Sequence, residues 1–143
     1  MRLTKEFDVD GARAAAAAVL ARDGTITGLF ANAKTEIVKR EGNRLTTHSR
    51  FRALGRDTDA TFTFTFQPDG NVTFAKVCDG RVWRELSGRV TFEERGAERT
   101  RVRLEMNGRT KGLVPEFAIK APLQEQLDDM ARALRKEIER EKA

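Results

Sequence analysis

In most segments up to Met106, the alanine-rich stretch at 12–21 apart, the apolar residues alternate singly with polar ones; beyond Pro122 they recur at steps of three and four. The first period belongs to strands and the second to a helix. The opening RLTKEFDV sets Leu3, Phe7 and Val9, with Lys5 on the same parity, against charged neighbours, as a half-buried strand does. Asp8 or Asp10 is then placed to cap a helix over GARAAAAAVLAR, which breaks at Asp23-Gly24. Its alanines have high helix propensity and almost no bulk, so it can lie close to a neighbour. ITGLFANA reads as a second short helix or turn with Ile26, Leu29 and Phe30 as its apolar edge.

Six strands follow at short, regular spacing. KTEIVKR closes at Glu41-Gly42-Asn43, RLTTHSRFRAL at Gly55-Arg56-Asp57 and DATFTFTFQ at Pro68-Asp69-Gly70. NVTFAKVC closes at Asp79-Gly80, RVWRELSGRVTFEE around Gly96 and ERTRVRLEM at Asn107-Gly108. Such spacing predicts hairpins and an antiparallel meander. In the last segment Leu123, Leu127, Met130, Leu134 and Ile138 fall on one side of a helix running from Pro122 to Glu141. At 1.5 Å per residue it is roughly 30 Å long, enough to cross six strands. VPEFAIKA just ahead reads as helical too, with Pro115 in its first turn and Pro122 bending the element by removing a hydrogen bond to Ala118.

Strand parity sorts the sheet into two faces. Phe51, Ala53, Phe62, Phe64, Phe66, Val72, Phe74, Cys78, Val102, Leu104 and Met106 share the apolar one. Thr61, Thr63, Thr65, Thr73, Arg101, Arg103 and Glu105 share the wet one. TFTFTF (61–66) is the clearest case, and it leaves open whether its three rings face a filled core or a hollow. Lys76 breaks the pattern by sharing the parity of Phe74 and Cys78. Such a lysine is costly against a packed core, unless it sits at a strand end and reaches out, and much cheaper against a cavity. Arg84 shares the parity of Val82 and Leu86, unless a bulge at Gly88 turns Trp83 and Glu85 inward instead.

The chain of 143 residues is the size of one domain, 1–143. No stretch approaches the roughly 20 uncharged apolar residues of a membrane span. ARAAAAAVLA follows Glu6, Asp8 and Asp10 instead of a basic head, which argues against a signal peptide. Cys78 is the lone cysteine, which excludes an internal disulfide or a multi-cysteine zinc site and is compatible with the cytoplasm. Net charge is +5, with acids interspersed among the bases, so nucleic acid is not the expected partner. No nucleophile elbow, phosphate loop or metal cluster is present; no catalytic residue, cofactor or metal is assigned. His48, the only histidine, shares the parity of Thr46, Arg50 and Arg52, away from Phe51. RALRKEIEREKA is a charged helix end that leaves a homodimer open.

The order strand, two short helices, six-stranded meander, long helix resembles the helix-grip fold of the START-like (SRPBCC) superfamily, which includes polyketide cyclase/dehydrase and lipid-transport proteins. The resemblance covers the whole chain. It rests on that order, on VWRELSGRVTFEE with RTRVRLEMNG, and on GLVPEFAIKAPLQEQLDDMARALRKEIE. It implies an α+β fold in which a curved antiparallel sheet (β-α-α-β6-α) wraps a long C-terminal helix around an apolar cavity. The implied lining is Phe51, Phe62, Phe64, Phe66, Phe74, Trp83, Met106, Phe117, Leu127 and Met130. Lys76 or Arg84 then orients a polar head, Glu85 and His48 are further polar candidates, and the way in lies near VPEFAIKAP. The expected function is binding, transport or sensing of a hydrophobic small molecule such as a lipid, quinone or polyketide-like compound. The alternatives are a cyclase/dehydrase-like enzyme working through Lys76, Arg84 or Glu85, and a protein- or RNA-binding module using His48, Arg50, Arg52, Arg101 and Arg103.

Overall fold

The computed structural model describes residues 1–53, 55–78 and 82–142. In chain order the elements are β1 (Arg2–Asp10), α1 (Arg13–Leu20), α2 (Asp23–Thr27), β2 (Ala33–Glu41), β3 (Arg44–Ala53) and β4 (Arg56–Phe66). Then come β5 (Val72–Lys76), β6 (Trp83–Gly96), β7 (Arg99–Thr110) and α3 (Glu116–Lys142). The strands form one curved antiparallel sheet in the order β1-β7-β6-β5-β4-β3-β2. β2 to β7 are a meander, and β1 joins its far side through β7. The α1–α2 segment therefore carries the chain from one edge of the sheet to the other.

Several turn signals act as read. Gly42 and Gly70 take positive φ, 59° and 90°, in the β2–β3 and β4–β5 turns, where a side chain would be strained. Others were overruled by pairing. Asn107-Gly108 is no turn: β7 runs on to Thr110, with Asn107 opposite both Arg2 and Ser87 and Gly108 opposite Leu86. Ladders on both flanks outweigh the local preference of Asn-Gly. Neither Asp8 nor Asp10 caps α1, because β1 extends through Asp10; Ala12 holds the N-cap position without a side-chain bond. Asp23-Gly24 opens α2 instead of breaking a helix, and the chain then turns through Gly28 so that Leu29 and Phe30 are buried. α3 starts after Pro115 and continues through Pro122 as one helix. The Ala53 side chain and the Asp79-Gly80 turn lie outside the described residues.

α1 packs against α3, β6 and β7. Its buried Ala16 and Ala17 let it come so close that a Cβ on Gly70 would sit 3.0 Å from Ala17 Cβ. Arg13 ties it down by donating to the Phe92 carbonyl at 2.7 Å. Arg22, just past α1, pairs with Glu141 of α3. α3 lies mainly on β1 and β7, with Leu127, Met130 and Leu134 fully buried. Each such side chain contributes about 1.5–3 kcal/mol relative to exposure.

Candidate functional site

The concave face is not packed evenly. In cross-strand register, Leu45, Phe64, Phe74, Gly88 and Met106 form a row in which Phe64, Phe74 and Met106 are all at most 2% exposed. This row is solid. Phe64 and Phe74 lie 5.7 Å apart between ring centroids. Gly88 is required there, since a Cβ would come within 2.4 Å of the Phe74 ring and 2.5 Å of the Glu105 carbonyl. Two positions along the strands comes the Thr47–Phe62–Lys76 row; four along, Ser49 faces Ala60, and Ala33 faces Phe51 at the strand ends. Alanine and serine cannot reach α3. A hollow of about 410 Å³ opens above them.

Phe30, Phe51, Phe62, Trp83 and Leu86 wall this hollow, and Pro122, Glu125, Gln126 and Asp129 of α3 cover it. Lys76 and Arg52 bring positive charge to it. The cover is polar because the apolar stripe of α3 points at the packed rows, so the side chains beside that stripe face the hollow. Phe62 stands at the border. It stacks on Phe30 at 5.0 Å, and it also touches the core rings Phe64 and Phe74, both at 6.4 Å.

A bulge decides what β6 contributes. Trp83 pairs with Thr110 and Glu85 with Arg109, so Arg84 is the extra residue. The bulge lies at Arg84, not at Gly88, and its effect is one-sided: Trp83 turns toward the hollow while Arg84 and Glu85 are both exposed. Glu85 bonds Arg109 at 3.4 Å on the outside. Gly108 makes room for the indole, since a Cβ there would sit 2.5 Å from the Trp83 ring. Lys76, opposite Phe62 at the end of β5, is half-buried and borders the hollow.

Of the residues singled out from sequence, Phe51, Phe62, Lys76 and Trp83 come together around the hollow. Phe64, Phe74, Met106, Leu127 and Met130 fill the adjoining core, and Phe66 is half-buried beside Val72, away from the hollow. Arg84 is exposed on the bulge and Phe117 is 84% exposed on the first turns of α3. Sequence reading missed Phe30, Ser49, Ala60 and the α3 residues Glu125, Gln126 and Asp129. Ser49 was within reach: Leu45, Thr47, Ser49 and Phe51 share a parity, and two of the four are hydroxyls.

On the convex face the bases have acidic neighbours. Arg101 donates to Asp8 at 3.0 Å and Arg103 to Glu6 at 3.0 Å. His48 lies 3.8 Å from Glu36 and 3.7 Å from Asp59. The hydrogen bond from Arg101 holds the Asp8 carboxyl below its ordinary value and raises Arg101 in turn. Glu105, expected on the wet face, is 4% exposed between Arg2 at 2.5 Å and Arg89 at 3.0 Å. Burial pushes its carboxyl up, but the hydrogen bond from Arg89 and the charges of Arg89 and Arg2 outweigh this and leave it lowered. Among the described residues no helix is long and apolar enough to cross a membrane.

Seven antiparallel strands gripping a long C-terminal helix, with two short helices after the first strand, make this the START-like helix-grip fold. No family model matches the chain, and no curated protein matches it in sequence. Solved structures do. A START superfamily protein from Mycobacterium smegmatis aligns with a TM-score of 0.77 at 14% identity, covering 97% of each chain. The Zhui aromatase/cyclase of Streptomyces sp. R1128 aligns at 0.75 and 15% identity over 96% of this chain and 90% of its own. A STAR-related lipid transfer protein from Xanthomonas axonopodis aligns at 0.69 and 17% identity over 96% and 85%. At such identities the likeness is one of fold.

Proposed function

We propose that the protein is a single START-like domain that binds one compact hydrophobic molecule between the sheet and α3. The observation that carries this reading is the hollow of about 410 Å³, lined on the sheet side by the short side chains Ala33, Ser49 and Ala60, whereas the row four residues along the strands from Ser49 and Ala60 is filled by Phe64 and Phe74. At about 30 Å³ per water the hollow equals about 14 waters, toward the lower end of the roughly 300–1,000 Å³ typical of ligand pockets. That size suits a single-chain amphiphile or a compound of a few fused rings better than a two-chain lipid. Burial against Phe30, Phe51, Phe62 and Trp83 supplies affinity, and Lys76 orients a polar or anionic head. The ligand enters beside Pro122, where residues 115–118 and 120–122 of the α3 stem are exposed. Proteins of this fold that are named as an aromatase/cyclase and a lipid transfer protein support the ligand class.

A second reading, a cyclase-like enzyme, uses the same hollow with Lys76, Glu125 and Asp129 as its titratable groups. Arg84 and Glu85 drop out of that scheme because the bulge leaves them exposed. The test is thermal stabilisation by a panel of fatty acids, quinones and flavonoids, read alongside the emission of Trp83, the only tryptophan. A ligand at 100 times its Kd adds about 2.7 kcal/mol, roughly 8 °C for a chain of this length. Flat melting curves and unchanged emission with every compound would refute the binding reading. Turnover of a bound compound would favour the second reading.

A further inference from the structure

β3 turns Leu45, Thr47, Ser49 and Phe51 toward the concave face, and the two hydroxyl residues are as deeply buried as Leu45, which is 1% exposed. Thr47 is 0% exposed and Ser49 2%. Ser49 faces Thr35 of β2 in register, and their hydroxyl oxygens are 2.7 Å apart. Two hydroxyls carry two protons. One makes the mutual bond, and the other remains for an acceptor outside the pair. Thr47 Oγ1 has no partner at all among the described residues. Valine has nearly the same shape and would avoid leaving a buried hydroxyl without a hydrogen bond, which is destabilising. Apolar packing therefore does not account for a hydroxyl here.

Register places these groups beside the hollow. Ser49 lines it, and Thr47 sits two residues further along β3, opposite the lining residue Phe62. Lys76 follows Phe62 in the same cross-strand row. At about 4.8 Å between strands, Thr47 and Lys76 are roughly 10 Å apart at Cα.

We propose that Thr47 and the Ser49–Thr35 pair form a subsite for a neutral acceptor oxygen on the ligand, of the ketone or ether class. This inference rests on the binding reading above. The ligand oxygen accepts the protons of Thr47 and of the pair, and the Phe62 ring gives way at the edge of the hollow to let it reach Thr47. An anionic oxygen does not suit the position, because a buried charge needs a counter-charge and Lys76 is two strands away. The bound molecule thus carries its neutral oxygen at the β3 end and any anionic group at the Lys76 end.

The test uses a matched pair of probes that fit the hollow: tetralin, a hydrocarbon, and 1-tetralone, the same bicycle with one carbonyl. Their dissociation constants are measured by Trp83 emission with wild type, Thr47→Val and Ser49→Ala. The tetralin-to-tetralone ratio of Kd falls about tenfold in each variant, the size of one hydrogen bond, and most of that change lies in the Kd of tetralone. Thr47→Val also melts higher than wild type, since the unpartnered hydroxyl is gone. An unchanged ratio with both probes bound overturns the subsite and leaves the cavity reading standing. Binding of neither probe to wild type overturns both.

Discussion

Phe62 and Phe64 are the same residue type on the same strand face, two positions apart, and are 4% and 1% exposed. Their surroundings differ in one respect: the hollow is against Phe62, whereas Phe64 is enclosed by protein. Truncating Phe64 to alanine removes a ring from close packing and leaves a closed void. That combines the lost transfer energy with a cavity term, about 3–5 kcal/mol in all. Truncating Phe62 only enlarges a space that already exists, so the transfer term dominates, roughly 1.5–3 kcal/mol. With unfolding entropies typical of this chain length, 1 kcal/mol corresponds to about 3 °C in Tm. Phe64→Ala is therefore expected to lower Tm by about 10–15 °C, and Phe62→Ala by about 5–9 °C. Urea unfolding at constant m-value gives the two free energies directly. Any bound hydrophobic probe should lose affinity with Phe62→Ala and keep it with Phe64→Ala. Equal destabilisation, or a larger effect at Phe62, would mean that the strand does not divide core from hollow where the geometry places the division.

Other perturbations probe separate parts of the same construction. Ala60→Leu puts a branched side chain on the floor of the hollow; it should leave Tm within about 3 °C of wild type, and it should abolish ligand-induced stabilisation. Gly88→Ala drives a methyl group into the Glu105 carbonyl as well as the Phe74 ring, and backbone cannot step aside, so a loss of about 3 kcal/mol is expected in urea unfolding. Gly108→Ala meets only side chains, chiefly Trp83; the indole is displaced, and the emission spectrum should change more than the stability does. Glu105 and Asp8 have lowered carboxyl values in the fold, so their stabilisation is complete above their ordinary values of 4.5 and 3.8. It is lost as pH falls through the lower folded values. Glu105→Gln should consequently flatten the fall in Tm below pH 4.5, and an unaltered acid limb would show that Arg2 and Arg89 contribute nothing through it.

The strand faces were legible because period-2 alternation is a local property, visible in TFTFTF and RTRVRLEM without knowledge of any partner strand. The α3 stripe was legible for the same reason at a period of 3.6. The errors came where two segments compete for one stretch of chain. Asn107-Gly108 has the chemistry of a turn, yet β1 and β6 both pair with it, and the ladder on two sides prevails. Asp8 has the chemistry of a cap, but Arg101 holds it in the strand. Arg84 and Trp83 could not be assigned from parity, since one extra residue in β6 reverses the faces upstream of it, and a bulge leaves no local mark when the residue concerned is an arginine.

The candidate site was legible only at its aromatic wall. Alternation marks which residues face inward, and for these residues it did so well. It does not say which inward residues meet another side chain and which meet empty space. That depends on the height of α3 above each row, on Ala60 and Ser49 being short where Phe64 and Phe74 are long, and on Pro122 and Gln126 arriving over them from more than 60 residues away in the chain. Periodicity along the chain was enough to mark the strands, α3 and the two faces of the sheet away from the bulge in β6. The hollow belongs to tertiary structure alone, because a void is defined by the distance between surfaces, and no residue encodes the distance to a partner it meets only after folding.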